Sequence, residues 1–305
     1  MIPIKFYGKG ASNPKEFIIS WNLGNTCNWS CSYCPSYLHD GTVDWANIER
    51  IKPILLQIKN KLPNKKIRVE FVGGEVTLKS DFIELMKFCR EQGFNNCIIT
   101  NASRTVRYWE ELAPYIDVAV LSFHPEFASR EHYENIIRTC VNNNINVNCQ
   151  IAMMKDSFWD LAEYRDYLRE TFPTVYTDFA VLYDKENKFN HKNGYFYDYD
   201  ETHVTYLNDE GQKEFVIEYD NGEEHEYSIN EVRSMNLNDF RGFICGSELT
   251  SIAVDYRGGT SISVCAQRGP VNVYKHGIDS ILEPRLCEQP ECRNPADIRI
   301  LKIRK

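Results

Sequence analysis

Residues 17–34 read FIISWNLGNTCNWSCSYC, an apolar run that opens into three thiols spaced C-x3-C-x2-C. The run 17–23 is short and rich in β-branched and aromatic residues, the signature of a buried strand. Cys27, Cys31 and Cys34 follow it closely. Three is an odd number for zinc, whose closed sites take four Cys or His ligands. A four-iron cluster held by three thiolates keeps one iron free to bind a small molecule. The spacing therefore points to cofactor chemistry, with a zinc knuckle or plain buried thiols as the alternative.

Outward from this stretch, strand-like and helix-like segments alternate. Strands are predicted at 17–23, 67–73, 96–101, 116–123, 146–153 and 177–183. Amphipathic helices are predicted near 45–62, 80–92, 105–114, 129–143 and 157–171. Ser80 reads as a capping signal and Gly93 as a helix stop. Six strands separated by helices imply a parallel α/β sheet, either doubly wound or a barrel. Ser20 with Asn22, Ser122 with His124, and Asn148 with Gln150 each place polar groups on one strand face. Such a face suits a barrel lumen open to substrate, and six units give a partial (β/α)6 barrel. The barrel domain is expected over 1–183.

Residues 184–242 change character, and a β-rich insertion is expected there. Segments 203–207 and 213–219 alternate like strands, and Asp220-Asn221-Gly222 is a hairpin turn into 223–228. This small meander is expected to lie against the barrel mouth, its acidic residues solvated. A third domain, 243–305, is expected to begin with a hairpin of 251–255 and 261–265 around Arg257-Gly258-Gly259.

The C-x3-C-x2-C spacing, with Tyr33 just before the third Cys, resembles the cluster motif of the radical S-adenosylmethionine (radical SAM) enzymes. The resemblance implies that Cys27, Cys31 and Cys34 hold a [4Fe–4S] cluster whose open iron chelates S-adenosylmethionine. It implies reductive cleavage to a 5′-deoxyadenosyl radical that abstracts hydrogen from substrate, with a flavodoxin- or ferredoxin-type reductant. Gly73-Gly74-Glu75 matches the motif that contacts the methionine amino group, and Tyr33 corresponds to a residue packed near the adenine. Ser122 and Asn101 stand where members bind the ribose or methionine carboxylate. His124 reads equally as a structural histidine or a substrate contact. Gln150 and Met153 are read as lining the cofactor or substrate cavity.

Cys245, Cys265, Cys287 and Cys292 form a C-terminal quartet, C-x19-C then C-x4-C. It resembles the twitch domain, a shortened SPASM-like domain with one auxiliary [4Fe–4S] cluster, although the second spacing is longer than that family's C-x2-C. A four-thiolate zinc site is the alternative. Four thiolates would saturate the cluster, which favours electron transfer and hence net oxidation of substrate. The remaining thiols, Cys89, Cys97, Cys140 and Cys149, read as small core residues.

The net charge of −8 argues against binding nucleic acid, since no broad basic surface exists to release counterions. No apolar run approaches the roughly 20 residues of a membrane span. Eleven Cys without a secretory signal fit a reducing, cytoplasmic setting. The substrate is expected to be a small hydroxylated metabolite, since only 16 residues precede the first predicted strand, too few for a leader-binding domain. A ribosomally made peptide, crosslinked, oxidised or epimerised, is the alternative. A noncatalytic iron–sulfur carrier is a further one, and it would need neither Gly-Gly-Glu nor a barrel.

Overall fold

A computed structural model of the chain describes residues 1–9, 15–181, 213, 215–228, 231–232, 235–246, 250–261, 271–279, 282, 285–288, 290, 292, 298 and 300–305. Cys265 and the expected strand at 203–207 lie outside them. The chain divides into two compact units. One comprises residues 21–52 and 68–199, the other residues 1–20, 53–67 and 200–305.

Along the chain, strands and helices alternate as the sequence suggests. After β1 (Pro3–Gly8) and β2 (Glu16–Asn22), the chain runs through α1 (Ile48–Lys61), β3 (Lys66–Val72), α2 (Phe82–Glu91), β4 (Asn95–Thr100) and α3 (Val106–Leu112). It continues through β5 (Val118–Phe123), α4 (Arg130–Asn142), β6 (Asn146–Met153), α5 (Phe158–Thr171) and β7 (Tyr176–Val181). Strands β3 to β7 pair in sequence order, all parallel. Leu23 N–H donates to Val72 O at 2.8 Å, so the chain leaves β2 beside the end of β3. β7 lies at a sheet edge, so the strands do not close into a barrel.

Local chemistry sets the helix ends. Thr105 and Ser129 cap α3 and α4, their hydroxyls accepting from Tyr108 N–H and His132 N–H. Gly93, at φ +76°, ends the turn that closes α2. The expected cap at Ser80 is displaced by one residue. Asp81 is the N-cap of α2 without a side-chain cap bond, because its carboxylate pairs with Lys79 Nζ at 2.5 Å. Cys89, Cys97, Cys140 and Cys149 are all buried, as small apolar residues of the core.

The second unit holds an antiparallel sheet that the sequence pattern showed only in part. β8 (Phe215–Tyr219) and β9 (Glu224–Tyr227) form the expected hairpin, with Gly222 at φ +82° in its turn. Its other neighbour is β1, where no strand was expected: Phe6 pairs with Ile217 and Tyr7 with Val216. On the far side β1 pairs with β15 (Lys302–Arg304), which also flanks β10 (Phe243–Cys245), with β14 (Arg285–Leu286) beyond. A second hairpin joins β11 (Ser251–Val254) to β12 (Gly259–Ser261), and β12 pairs with β13 (Val271–Asn272). The second strand thus starts at Gly259, two residues earlier than expected, because Asp255 Oδ1 accepts from Arg257 N–H and Gly259 N–H and tightens the turn.

Phe6 is 1% exposed, with Phe240 edge-on at 4.8 Å and Phe215 at 5.7 Å between centroids. Truncating such a side chain leaves a cavity. Phe6→Ala is expected to lower unfolding stability by about 3–5 kcal/mol, read from urea melts. A loss under about 1 kcal/mol would show that β1 is peripheral to this core.

Candidate active site

The cysteine loop starts where β2 ends, and its root is docked on the turn after β3. Gly74 N–H donates to Gly24 O at 3.0 Å and Glu75 N–H to Thr26 O at 2.7 Å. The two glycines are needed for this approach. A Cβ on Gly73 would meet Gly24 O at 2.7 Å, and one on Gly74 would collide with Thr26 O. Asn25 anchors the other end of the loop. Its Nδ2 donates to Tyr37 O at 3.0 Å and Asp40 Oδ1 at 2.6 Å, and its Oδ1 accepts from Val43 N–H.

Glu75 is fully buried, and four donors converge on its carboxylate. Oε1 accepts from Thr77 N–H at 3.1 Å, Thr77 Oγ1 at 2.5 Å and Thr100 Oγ1 at 2.7 Å, and Oε2 from Asn101 N–H at 2.7 Å. Burial pushes this carboxyl above the usual range, and the hydrogen bonds oppose the shift. Much of the carboxylate's accepting capacity is thus spent on tying the turn after β3 to the end of β4.

Asn101 reaches onward to the loop. Its Nδ2 donates to Asn28 Oδ1 at 3.0 Å and lies 3.8 Å from Cys27 Sγ, which also accepts from Trp29 N–H at 3.4 Å. Cys31 and Cys34 are joined by a turn, Cys34 N–H to Cys31 O at 3.0 Å. Burial pushes all three thiols up, Cys31 to about 11, and the charges of Cys27 and Cys34 would raise Cys31 further, as Cys27 would Cys34.

A second contact comes from the loop after β5. Ser32 N–H donates to Glu126 Oε2 at 2.7 Å, and Ser32 Oγ to Glu126 Oε1. Tyr33 Oη and His124 Nδ1 are hydrogen-bonded at 2.7 Å with the rings stacked, Trp29 meets His124 edge-on, and Phe127 stacks on Trp29. Sequence reasoning missed Glu126. It lies 94 residues from its partner, in a loop with no motif.

The strand ends sort the remaining candidates. Ser122, Gln150 and Asp178 stand abreast on β5, β6 and β7, all partly exposed. Met153 does not share the face of Gln150. It is fully buried and alternates with Cys149 and Ile151 on the opposite face. A cavity of about 320 Å³ opens beside Glu126, lined by Phe123, Arg130, Met154, Ser157 and Leu161. Cys245, Cys287 and Cys292 belong to the other unit. Cys287 and Cys292 lie in the apolar core around Phe6 and Phe240, and Cys287 N–H donates to Phe243 O, two residues before Cys245.

The donor set of the first loop fits an iron–sulfur cluster. Three thiols on one short loop, their pKa values raised by burial, are suited to a positive group that would hold them as thiolates. A family model described as Radical SAM superfamily matches residues 21–188, more than half of the chain. The chain belongs to the radical SAM superfamily. It is therefore an enzyme, and the family uses S-adenosylmethionine with a [4Fe–4S] cluster.

Among curated proteins, this radical SAM chain is 30% identical over 125 residues to an S-adenosylmethionine-dependent nucleotide dehydratase of Pseudoalteromonas ulvae, covering 36% of this chain and 40% of that one. It is 28% identical over 110 residues to a protein of the same name from Fibrobacter sp., covering 34% and 32%. The matched region thus spans well under half of either relative. Among solved structures, anSMEcpe with bound AdoMet superposes with a TM-score of 0.60 at 16% identity, over 88% of this chain and 80% of that one. Streptococcus suis SuiB bound to the precursor peptide SuiA gives 0.58 at 17%, over 88% and 64%. These likenesses establish a shared fold. Among the described residues no helix is long and apolar enough to cross a membrane.

Burial holds the His124 imidazole down to about 4, against Glu126, which pulls it up. An unfolded His titrates near 6.5, so the neutral folded ring contributes stability above that value. That contribution is expected to fall away from about pH 6.5 toward 4, seen as a declining melting temperature. His124→Gln keeps an acceptor for Tyr33 and is expected to flatten this slope. An unchanged slope would mean other groups cause it.

Proposed function

We propose that this enzyme oxidises a small hydroxylated substrate, with one cluster beside S-adenosylmethionine and a second as electron outlet. The observation that carries the first half is the clamped cysteine loop on the Gly73-Gly74-Glu75 turn. Cys27, Cys31 and Cys34 would hold the first cluster. Gly73, Gly74, Glu75, Tyr33, Ser122 and Gln150 would contribute to holding S-adenosylmethionine. Ser122, Gln150 and Asp178, abreast on three strands, offer donors and acceptors suited to hydroxyl groups. Cys245, Cys287 and Cys292, with Cys265, would hold the auxiliary cluster in a twitch-like domain. The bond of Cys287 N–H to Phe243 O, at the start of the strand that Cys245 ends, supports that assignment. Once bound, the cofactors supply hydrogen-atom abstraction from a carbinol carbon and an acceptor for the electron left behind, while the hydroxyl proton passes to a base such as the Asp178 carboxylate and the alcohol becomes a carbonyl. The chain's part is to orient the hydroxyl and keep water from the radical.

A second reading is dehydration of a nucleotide, the activity for which the two relatives are named. Loss of water is redox-neutral and needs no electron outlet.

Anaerobically reconstituted protein is expected to hold about eight irons per chain, two four-iron clusters. Cys31→Ala is expected to lose about half of them together with 5′-deoxyadenosine formation. If that variant still cleaves S-adenosylmethionine, the first assignment is wrong. Cys287→Ala is expected to form 5′-deoxyadenosine without oxidised product. Product from Cys287→Ala would remove the electron-outlet role and leave the dehydration reading standing.

A further inference from the structure

We propose that Asn101 sets the reduction potential of the first cluster by donating its side-chain amide to Cys27 Sγ, and that Glu75 is the positioning residue that holds it there. The inference rests on Cys27 being a cluster ligand, as proposed above.

The orientation of the amide is determined by its partners. Asn101 Oδ1 accepts from Ser103 N–H at 3.0 Å, and a backbone N–H can only donate. The oxygen must therefore face Ser103, which leaves Nδ2 pointing at the cysteine loop. There one N–H meets Asn28 Oδ1 at 3.0 Å, and Cys27 Sγ lies 3.8 Å away. Ser103 Oγ also donates to Asn28 Oδ1, at 3.3 Å, so the three side chains form one closed network. The backbone of Asn101 is tied to Glu75 Oε2 at 2.7 Å, and the residue is 6% exposed. The dipole can neither swing away nor be replaced readily by water.

The three sulfurs are unequal. Cys27 Sγ faces the backbone N–H groups of Asn28 and Trp29 and the Asn101 amide, whereas Cys31 Sγ meets the Tyr33 hydroxyl. Cys34 Sγ instead faces a carbonyl, Pro35 O at 3.8 Å, an acceptor that repels a thiolate. One-electron reduction adds negative charge to the cluster and its sulfurs. Hydrogen bonds to those sulfurs stabilise the reduced form and raise the potential. The fixed amide dipole favours electron entry at the Cys27 corner, while the Pro35 carbonyl opposes it at Cys34.

The test is a potentiometric titration of reconstituted protein, following the EPR signal that changes when S-adenosylmethionine is added. Iron content and the melting temperature of the cluster-free protein are measured alongside. Asn101→Leu, which keeps the volume and the backbone bond to Glu75, is expected to make reduction about tenfold less favourable, a fall of about 59 mV. Asn101→Asp, which puts an acceptor where the donor was, is expected to fall further. Asn28→Ala removes the competing acceptor and is expected to hold or raise the potential. A purely structural role would shift Asn28→Ala and Asn101→Leu in the same direction, and that result overturns the proposal. So does an unchanged potential in Asn101→Leu at normal iron content. If Asn101→Leu fails to assemble its cluster, Asn28→Ala decides: a rise supports the proposal and a fall overturns it. Wild-type protein without a signal sensitive to S-adenosylmethionine would defeat the parent reading instead.

Discussion

The arrangement of the site depends on one buried carboxylate. Glu75 has no solvent contact, so its oxygens must be satisfied by the protein, and leaving them bare would cost several kcal/mol. The donors that satisfy it come from its own turn and from the end of β4, segments 25 residues apart in sequence. Forming those bonds fixes the end of β4 against the turn after β3. The glycines beside Glu75 bring the same turn onto the root of the cysteine loop, with no room for even one added carbon. Two strand ends and a loop are thereby locked together before any cofactor is considered.

A second group of contacts holds the loop from the opposite side, and it works differently. Around His124 the contacts are mostly faces and edges of rings, with Tyr33 and Glu126 supplying the direction. Aromatic contacts of this kind contribute roughly 0.5–1.5 kcal/mol each beyond simple burial. The carboxylate fixes positions by directed bonds, whereas the aromatic cluster works mainly through ring contacts.

The parallel strands and their helices were legible in the sequence because their signal is local. A buried strand such as 146–153 announces itself by its own alternation. The cysteine loop was legible because ligand spacing is itself local. What escaped notice depends on distant partners. β1 reads as an unremarkable PIKFYG until β8 and β15 lie beside it. Asp81 gives its carboxylate to Lys79 rather than to the helix it begins, a choice that no capping rule foresees. Met153 was placed with Gln150 by nearness in sequence, but three residues along a strand is an odd step and lands on the other face. Glu126 had no legible role at all, since a carboxylate in a loop is ordinary until a serine from elsewhere meets it.

The pairing of β1 also bears on how the molecule is made. Phe6 and its neighbours hydrogen-bond to Phe215–Tyr219 and to Lys302–Arg304. On the ribosome the first strand must therefore wait while the intervening chain is synthesised. At about 5–20 residues per second, that wait is on the order of ten to forty seconds before β8 emerges, and longer before β15. The parallel strands β3 to β7 are complete by then. The antiparallel sheet is thus the last to mature, and a stall in translation past residue 200 would leave an unpartnered apolar strand available to chaperones.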